Sequence, residues 1–351
     1  MEGSIKKFIL RSLLAALPVF LLVALYAWRD PFHVVHPVTR STAGQDSVQA
    51  GNNAGFVAVE TYFTHNDERH FDSFIFGSSM SQNYKAQYWK PYLNDSASIL
   101  HFDASAETLE GIINKMHLLN NNGSTIKNAL IVIEADMLGR QPLDDNLLYI
   151  QHPLASGWKN WFRFHTIYFN AFKNLTQVKY ALCPSMFAKE MQSKGMMSDE
   201  KGSRIDAINE VFYATTDSLI ANDPSKFFTP QRMATRKHTF YPAPSQPGID
   251  DAVEAQLREI KAILDNNGTS YLILIPPCNV KPHLTWADLW IMKSIFGQNK
   301  VQDLSSHPQF INNEHFYYDL QCHLISAKCK EVLDSAYYRH NHPTINNPFI
   351  K

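Results

Sequence analysis

The chain carries no surplus of basic charge. Its 351 residues hold 32 Lys and Arg against 33 Asp and Glu, well mixed along the sequence, for a formal net charge of -1. The basic footprint that nucleic-acid binding requires is therefore missing, and that class is excluded. Charged residues are too few, at 19%, for a disordered chain, while 45% of residues are hydrophobic and 12% aromatic. One large domain with an insertion, burying a sizeable core, fits that balance. Cysteines are scarce: Cys183, Cys278, Cys322 and Cys329 form no C-x-x-C pair and lack the spacing of a zinc site. Four cysteines allow three full pairings, so disulfides and buried free thiols both stay open. No internal repeat is present, and no metal or cofactor is expected.

Only one long apolar run exists, which makes the chain single-pass at most. It lies in "MEGSIKKFILRSLLAALPVFLLVALYAWRDPF", where Ser12 to Trp28 is an uncharged stretch of 17 residues. As a helix this stretch is roughly 26 Å long at about 1.5 Å per residue, near the thinnest workable span, and Phe8 to Leu10 extend it if Arg11 snorkels. Lys6, Lys7 and Arg11 precede the run and Tyr26 and Trp28 close it, so the positive-inside rule leaves the N-terminus in the cytoplasm and exports the rest. A cleaved signal peptide has a shorter apolar region and a small-x-small site; "ALYAW" is a poor one, which favours an uncleaved anchor. A buried soluble helix is the third alternative, set against by the run being apolar on every face.

Residues 29–55 are rich in Pro, Ser, Gly, Asn and Gln, show no period and read as a stalk or loop. From residue 56 to 141 strand-like and helix-like segments alternate. "FDSFIFG" ends at Gly77, "SASILHF" is a short strand, "SAETLEGIINKMHLLNNNG" has Leu109, Ile112, Ile113, Met116 and Leu119 at helical spacing, and "KNALIVIEAD" is an apolar run typical of a buried parallel strand. The alternation fails over residues 142–247, where aromatic-rich stretches such as "WKNWFRFHTIYFNAFKNL" predict a helical insertion or lid. It resumes over 248–340 with the helix "GIDDAVEAQLREIKAILDNNG", the strand "TSYLILIPP", the helix "TWADLWIMKSIFG", the short strand "NKVQDLS" and the last helix "HLISAKCKEVLDSAYY", followed by a tail at 341–351. Strands alternating with helices predict right-handed crossovers and a three-layer α/β/α fold around a parallel sheet.

Sites in such sheets form outside the carboxyl ends of the strands. Three polar clusters fall there or before the last helix: "GSSMS", "EADMLGR" and "YYDLQCHL". A nucleophilic serine needs a tight strand-to-helix turn with free backbone N–H groups, and Gly77-Ser78-Ser79 has the residue types for it. The same residues serve equally as a turn and helix cap. Asp319 and His323 follow in the order Ser, Asp, His; the imidazole can take the serine proton while Asp319 fixes its tautomer. A helix-start pair is the alternative reading, and Glu314 with His315 offers a second acid and base. Arg140 is expected in a salt bridge, with an anionic-substrate clamp as the other option. "HFDAS", "HNDERH" and "YYRHNHPTINN" lack metal spacing and are expected to be exposed polar turns. The stripe Trp158, Trp161, Phe162, Phe164, Tyr168, Phe169 and Phe172 is expected to be core or lid packing, with sugar stacking also open.

"IFGSS", the "LHFDASAETLEGI" block, "LILIPP" followed by "FGQNKVQDLS", and "HFYYDLQCHLIS" together resemble the SGNH (GDSL-like) hydrolase superfamily, closest to its membrane-anchored bacterial members. The likeness covers roughly residues 58–140 and 245–340. It implies a flavodoxin-like sheet and an esterase or O-acyltransferase acting on O-acyl groups, expected to be acetyl, of a cell-envelope polysaccharide. It further implies an inner-membrane anchor with a periplasmic domain, a glycan substrate, and a membrane-bound O-acyltransferase as a partner. Carried over by residue, the first block makes Ser79 the nucleophile beside Gly77 and Ser78, and the last block puts acid and base at Asp319 and His323. The oxyanion hole would draw on the Ser79 N–H, on the second block near Ala104 or Ser105, and on the third block at Glu134 to Asp136. Two features depart from the family. Asp319 and His323 stand four apart instead of three, which requires a bulge over Leu320 to Cys322. The third block has no Asn, and an Asp136 carboxylate repels an oxyanion unless protonated or turned away. The alternative function is therefore a non-catalytic SGNH-like module that binds glycan or docks on an acyltransferase.

Overall fold

A computed structural model describes residues 2–37, 53–143, 145–157, 160–193, 214–235, 247–278, 284–317 and 323–342. The first helix, α1, spans Glu2–Arg29, and its large apolar side chains from Ile5 to Leu21 are exposed. It is long and apolar enough to cross a membrane. The segment after it does not begin as a stalk: the Asp30 carboxylate accepts the N–H groups of Val34, Val35 and His36, and Phe32 and Val34 are buried.

Helix α2 (Ala54–Arg69) follows, capped by the Asn53 side chain, which accepts the Phe56 N–H. It starts inside the segment expected to be loop. Strand β1 (Ser73–Phe76), helix α3 (Ala86–Trp89), strand β2 (Ile99–His101), helix α4 (Leu109–Asn121) and strand β3 (Asn128–Val132) come next. The insertion contributes α5 (Pro153–Ser156), α6 (Trp161–Phe172), α7 (Leu175–Leu182), α8 (Pro184–Ser193), α9 (Ala214–Asn222), α10 (Pro224–Phe227) and α11 (Pro230–Thr235). The order closes with α12 (Asp251–Asn266), strand β4 (Ser270–Ile275), α13 (Trp286–Phe296), strand β5 (Val301–Asp303) and α14 (Ser326–Asn341). Local chemistry sets the helix starts: Thr108 caps α4, Asp250 caps α12, and Thr285 with Asp288 forms a capping box on α13.

All five strands are parallel, in the order β2-β1-β3-β4-β5. The three central strands are level, with Ser73 opposite Asn128 and Asn128 opposite Ser270. Their side chains alternate between two clusters. Phe74, Phe76, Ala129, Ile131, Tyr271 and Ile273 join residues of α2, α4, α12 and α13, whereas Ile75, Leu130, Val132, Leu272 and Leu274 join residues of α3 and α14. Burial on both faces explains why these strands read as unbroken apolar runs. The order of strands reverses around β1, whose neighbours β2 and β3 lead away on opposite sides, and the crevice at such a switch point is where α/β sheets place ligands.

The insertion divides into two groups. Phe164, Tyr168 and Phe172 of α6 are buried in a cluster with Tyr26, Phe32 and Phe56, so that part of the aromatic stripe is packing. Trp161 and Phe162 are exposed, and Trp158 lies outside the described residues. Later, α9 and α10 pack near the last loop, where Phe227 joins Tyr317 and Ile325.

Candidate active site

Strand β1 delivers the chain into Gly77 at φ +154°, where a Cβ would stand 2.8 Å from Ser81 Cβ and 3.0 Å from the Val132 carbonyl oxygen. Any other residue here meets strain and contact together. The chain then enters a 3-10 turn over Ser79–Ser81, and Ser78 caps it by accepting the Met80 N–H at 3.2 Å. Ser78 is buried and engaged, whereas Ser79 is half-buried. The turn's hydrogen bonds use the N–H groups of Met80, Ser81 and Gln82, which leaves that of Ser79 outside its ladder.

Ser79 meets a group from 244 residues away: its Oγ is 2.9 Å from His323 Nε2. That loop is held by a short antiparallel bridge between Phe316 and Leu324, with Tyr317 N–H donating to the His323 carbonyl and Ile325 N–H to that of His315. Asn83 fastens the two loops together, its buried amide donating to the Leu324 carbonyl at 3.0 Å. Replacing Asn83 by Ala should cost about 1–3 kcal/mol, because the buried Leu324 carbonyl would keep only the weak Cys329 S–H donor at 3.8 Å, and should slow reaction at Ser79 by loosening its distance to His323. Urea titration and the rate of Ser79 labelling measure the two effects.

Asp319 lies outside the described residues, as does the expected bulge over Leu320 to Cys322. Among the alternatives, His315 turns its Nδ1 to the Phe310 carbonyl at 3.2 Å, burial pushes its ring below the ordinary value, and Glu314 is exposed. His323 is the imidazole brought to Ser79. Behind it, Tyr317 hydrogen-bonds Asp217 of α9, and Lys85 pairs with the same carboxylate at 2.8 Å. Burial, then the Asp217 charge, pushes the Tyr317 phenol far above its ordinary range.

The second block is built from buried polar groups. Ala104 N–H donates to the Gly77 carbonyl at 3.1 Å, setting this segment beside the Ser79 turn. "HFDAS" is not an exposed turn. His101 and Asp103 are buried, His101 lies 3.0 Å from the Asp103 carboxylate and 2.9 Å from the Ser81 carbonyl, and Gln82 donates to Asp103 at 2.8 Å. This network props the Ser79 turn from beneath. "HNDERH" is the end of α2 and its C-cap, and His340 of "YYRHNHPTINN" belongs to α14, where it meets the Asn299 carbonyl. Among the described residues no three His, Cys, Asp or Glu side chains are placed to hold a metal ion. Ala104 and Ser105 line a small cavity with Glu107, Lys115 and His152; Ser79 and His323 do not.

In the third block Arg140 NH2 lies 3.1 Å from Glu134 and 2.9 Å from Asp136, while NH1 donates to the Glu107 carbonyl at 2.8 Å. Burial works against the guanidinium charge, but the two carboxylates outweigh it and hold Arg140 above its ordinary value. Arg140 is thus the expected salt bridge, and it joins the second and third blocks. Cys183, Cys278 and Cys329 are free thiols, and burial pushes that of Cys329 well up. Residues that local patterns missed are Asn83, His101, Asp103 and Lys115: Asn83 and Lys115 donate to backbone carbonyls, and the His101–Asp103 pair reaches the Ser79 turn through the Ser81 carbonyl and Gln82, about twenty residues away.

No protein-family model matches the chain, and no curated protein matches it.

Proposed function

We propose that the protein is an SGNH-like serine esterase or O-acyltransferase that works on O-acyl groups, acetyl above all, of a cell-envelope polysaccharide. The observation that carries this reading is the 2.9 Å contact between Ser79 Oγ and His323 Nε2 at the carboxyl end of β1, beside the switch point of the sheet. Helices contributing to clusters on both faces of the sheet support the three-layer SGNH arrangement. In this mechanism His323 Nε2 takes the Ser79 proton as Oγ attacks the acyl carbonyl, and the Ser79 N–H holds the oxyanion. The intermediate collapses by expelling the alcohol, which takes the proton from His323, and leaves acyl-Ser79. Water or a glycan hydroxyl then attacks the ester, giving up its proton to His323. The bond to Ser79 Oγ breaks as that oxygen takes the proton back, which releases the acid or the acylated glycan and restores the enzyme. Asp319 would orient the ring. Helix α1 serves as an inner-membrane anchor, leaving the domain in the periplasm, where a membrane-bound O-acyltransferase is the partner that would supply acyl groups.

The third block favours a second reading, a non-catalytic module that binds glycan or docks on that partner. Arg140 holds two carboxylates where the family has an Asn, and losing one oxyanion donor costs roughly 2.7–4 kcal/mol, about a hundred- to a thousand-fold in rate. A fluorophosphonate probe separates the two. The full chain in detergent should be labelled on the peptide bearing Ser79 and should hydrolyse p-nitrophenyl acetate; a folded sample that does neither selects the binding module.

A further inference from the structure

We infer that α6, α7 and α8 form a platform that lies on the bilayer surface beside α1 and meets anionic lipid headgroups. The inference rests on the reading of α1 as a membrane span. A helix of 28 residues is about 42 Å long, against a hydrocarbon core of about 30 Å, so with Lys6 and Lys7 at one interface and Arg11 snorkelling to it, the last turn of α1, Tyr26 to Arg29, reaches the other. The insertion binds at and just below that turn: Tyr26 lies 5.6 Å from Phe169 and 5.4 Å from Phe172, ring to ring, and Leu22 and Leu25 pack on the same cluster. Leu22 to Arg29 covers only about 10 Å of the helix axis, so elements packed there sit at the boundary between hydrocarbon and headgroups.

What these helices expose fits that position. Phe162, Leu175, Leu182 and Met186 are 74%, 68%, 61% and 72% exposed. Leu175 and Leu182 are seven apart on α7, a single ridge, and its buried Thr176, Gln177 and Ala181 face away from it. Residues 146–189 contain no Asp or Glu, although the chain has 33, and carry Lys159, Arg163, Lys173, Lys179 and Lys189. The acids nearest to this stretch are engaged, Glu190 of α8 accepting from Thr176 at 3.3 Å and Asp145 pairing with Arg163 at 2.8 Å. An apolar ridge with basic flanks and few acids is the chemistry of an interfacial helix on anionic lipid. The platform also sets the orientation of the site. Phe56 of α2 stacks on Phe164 at 5.3 Å, and a Cβ on neighbouring Gly55 would meet Ala104 Cβ at 2.9 Å, so the second block, and with it the Ser79 turn, lies at the membrane end of the domain.

An environment-sensitive fluorophore tests this in the full chain, reconstituted in phosphatidylcholine nanodiscs with and without phosphatidylglycerol. Cys183 is exposed next to Leu182, whereas Cys278 and Cys329 are buried, so the label goes on Cys183 in a Cys322→Ser background. Because interfacial helices sit about 5–10 Å into the headgroup boundary, the label should lose roughly half of its emission to shallow doxyl-labelled lipid. The loss should shrink without phosphatidylglycerol, and should vanish in the Leu175→Glu, Leu182→Glu, Met186→Glu variant. Two further labels use Phe20→Cys in α1 and Ser96→Cys at the amino end of β2, each with Cys183 and Cys322 replaced by Ser. Phe20 should be quenched by deep labels and Ser96 by none. An unquenched Cys183 with a quenched Phe20 overturns the platform and leaves the anchor standing, and equal quenching at Ser96 overturns it as well. If Phe20 is not quenched, the membrane span falls and the platform with it. Quenching indifferent to phosphatidylglycerol overturns the anionic preference.

Discussion

Replacing Ser79 by Ala should abolish fluorophosphonate labelling and lower ester hydrolysis by about ten-thousand-fold or more, because nucleophile and base act as a unit and removing either removes the covalent route. The same change should leave stability almost untouched, since the Ser79 side chain is half-buried and, among the described residues, its hydroxyl hydrogen-bonds His323 alone. Ser78→Ala should behave in the opposite way. Its hydroxyl caps the turn by accepting the Met80 N–H, so its loss should cost about 1 kcal/mol, the usual effect of removing a cap, while labelling persists. Active-site titration and urea unfolding of the two variants side by side decide the matter. Labelling that survives in Ser79→Ala and disappears in Ser78→Ala would reverse the assignment; labelling unchanged in both would remove the serine mechanism altogether.

The contrast between adjacent serines also shows what the sequence makes legible. The strands are plain in it, because a parallel strand buried on both faces must be a run of apolar residues, and "FIF", "ALIV" and "YLILI" are such runs. So are the helices with one buried face and a side-chain cap, such as α12 and α13. Helix α2 is not legible. Its first half, through Tyr62, is buried almost throughout, and its second half is polar, so no 3.6-residue period survives, and Val57, Val59 and Thr61 favour strands by themselves. The cap that starts it, Asn53, sits in a stretch of small polar residues that reads as loop. The docked Phe32 and Val34 were hidden by the same composition. At the site, the order Ser, Asp, His and the position of each cluster are visible, but the pairing of Ser79 with His323 instead of His315 is set by the bridge at Phe316 and Leu324 and by Asn83. Tertiary contacts across more than two hundred residues leave no local pattern.

The second large effect is expected at Lys115, which builds the second block from behind. This buried side chain on α4 donates from Nζ to the carbonyls of Phe102 and Asp103 at 3.2 and 2.8 Å and pairs with the buried Glu107 carboxylate at 2.6 Å. A charge pair taken out of water gains little net stability as a whole, but removing one member leaves the other without compensation. Lys115→Met, which keeps the length and the packing of the stem over the Phe102 ring, should therefore destabilise the fold by about 3–5 kcal/mol. Adding Glu107→Gln should restore about 1–3 kcal/mol, because the amide needs no counter-charge and can still accept the Thr108 N–H that Oε1 accepts at 3.0 Å. The two carbonyls would stay stranded, so the double variant should not reach the parent. Because Asp103 and Ala104 hold His101 and the Gly77 carbonyl, loosening this segment should also slow Ser79 labelling in both variants, measured well below their unfolding midpoints. Urea titration of the single and double variants measures the stability cycle. A Lys115→Met protein as stable as the parent would mean that the pair is solvated in solution, and the second block would then owe its shape to the Ala104–Gly77 hydrogen bond and the His101 network alone.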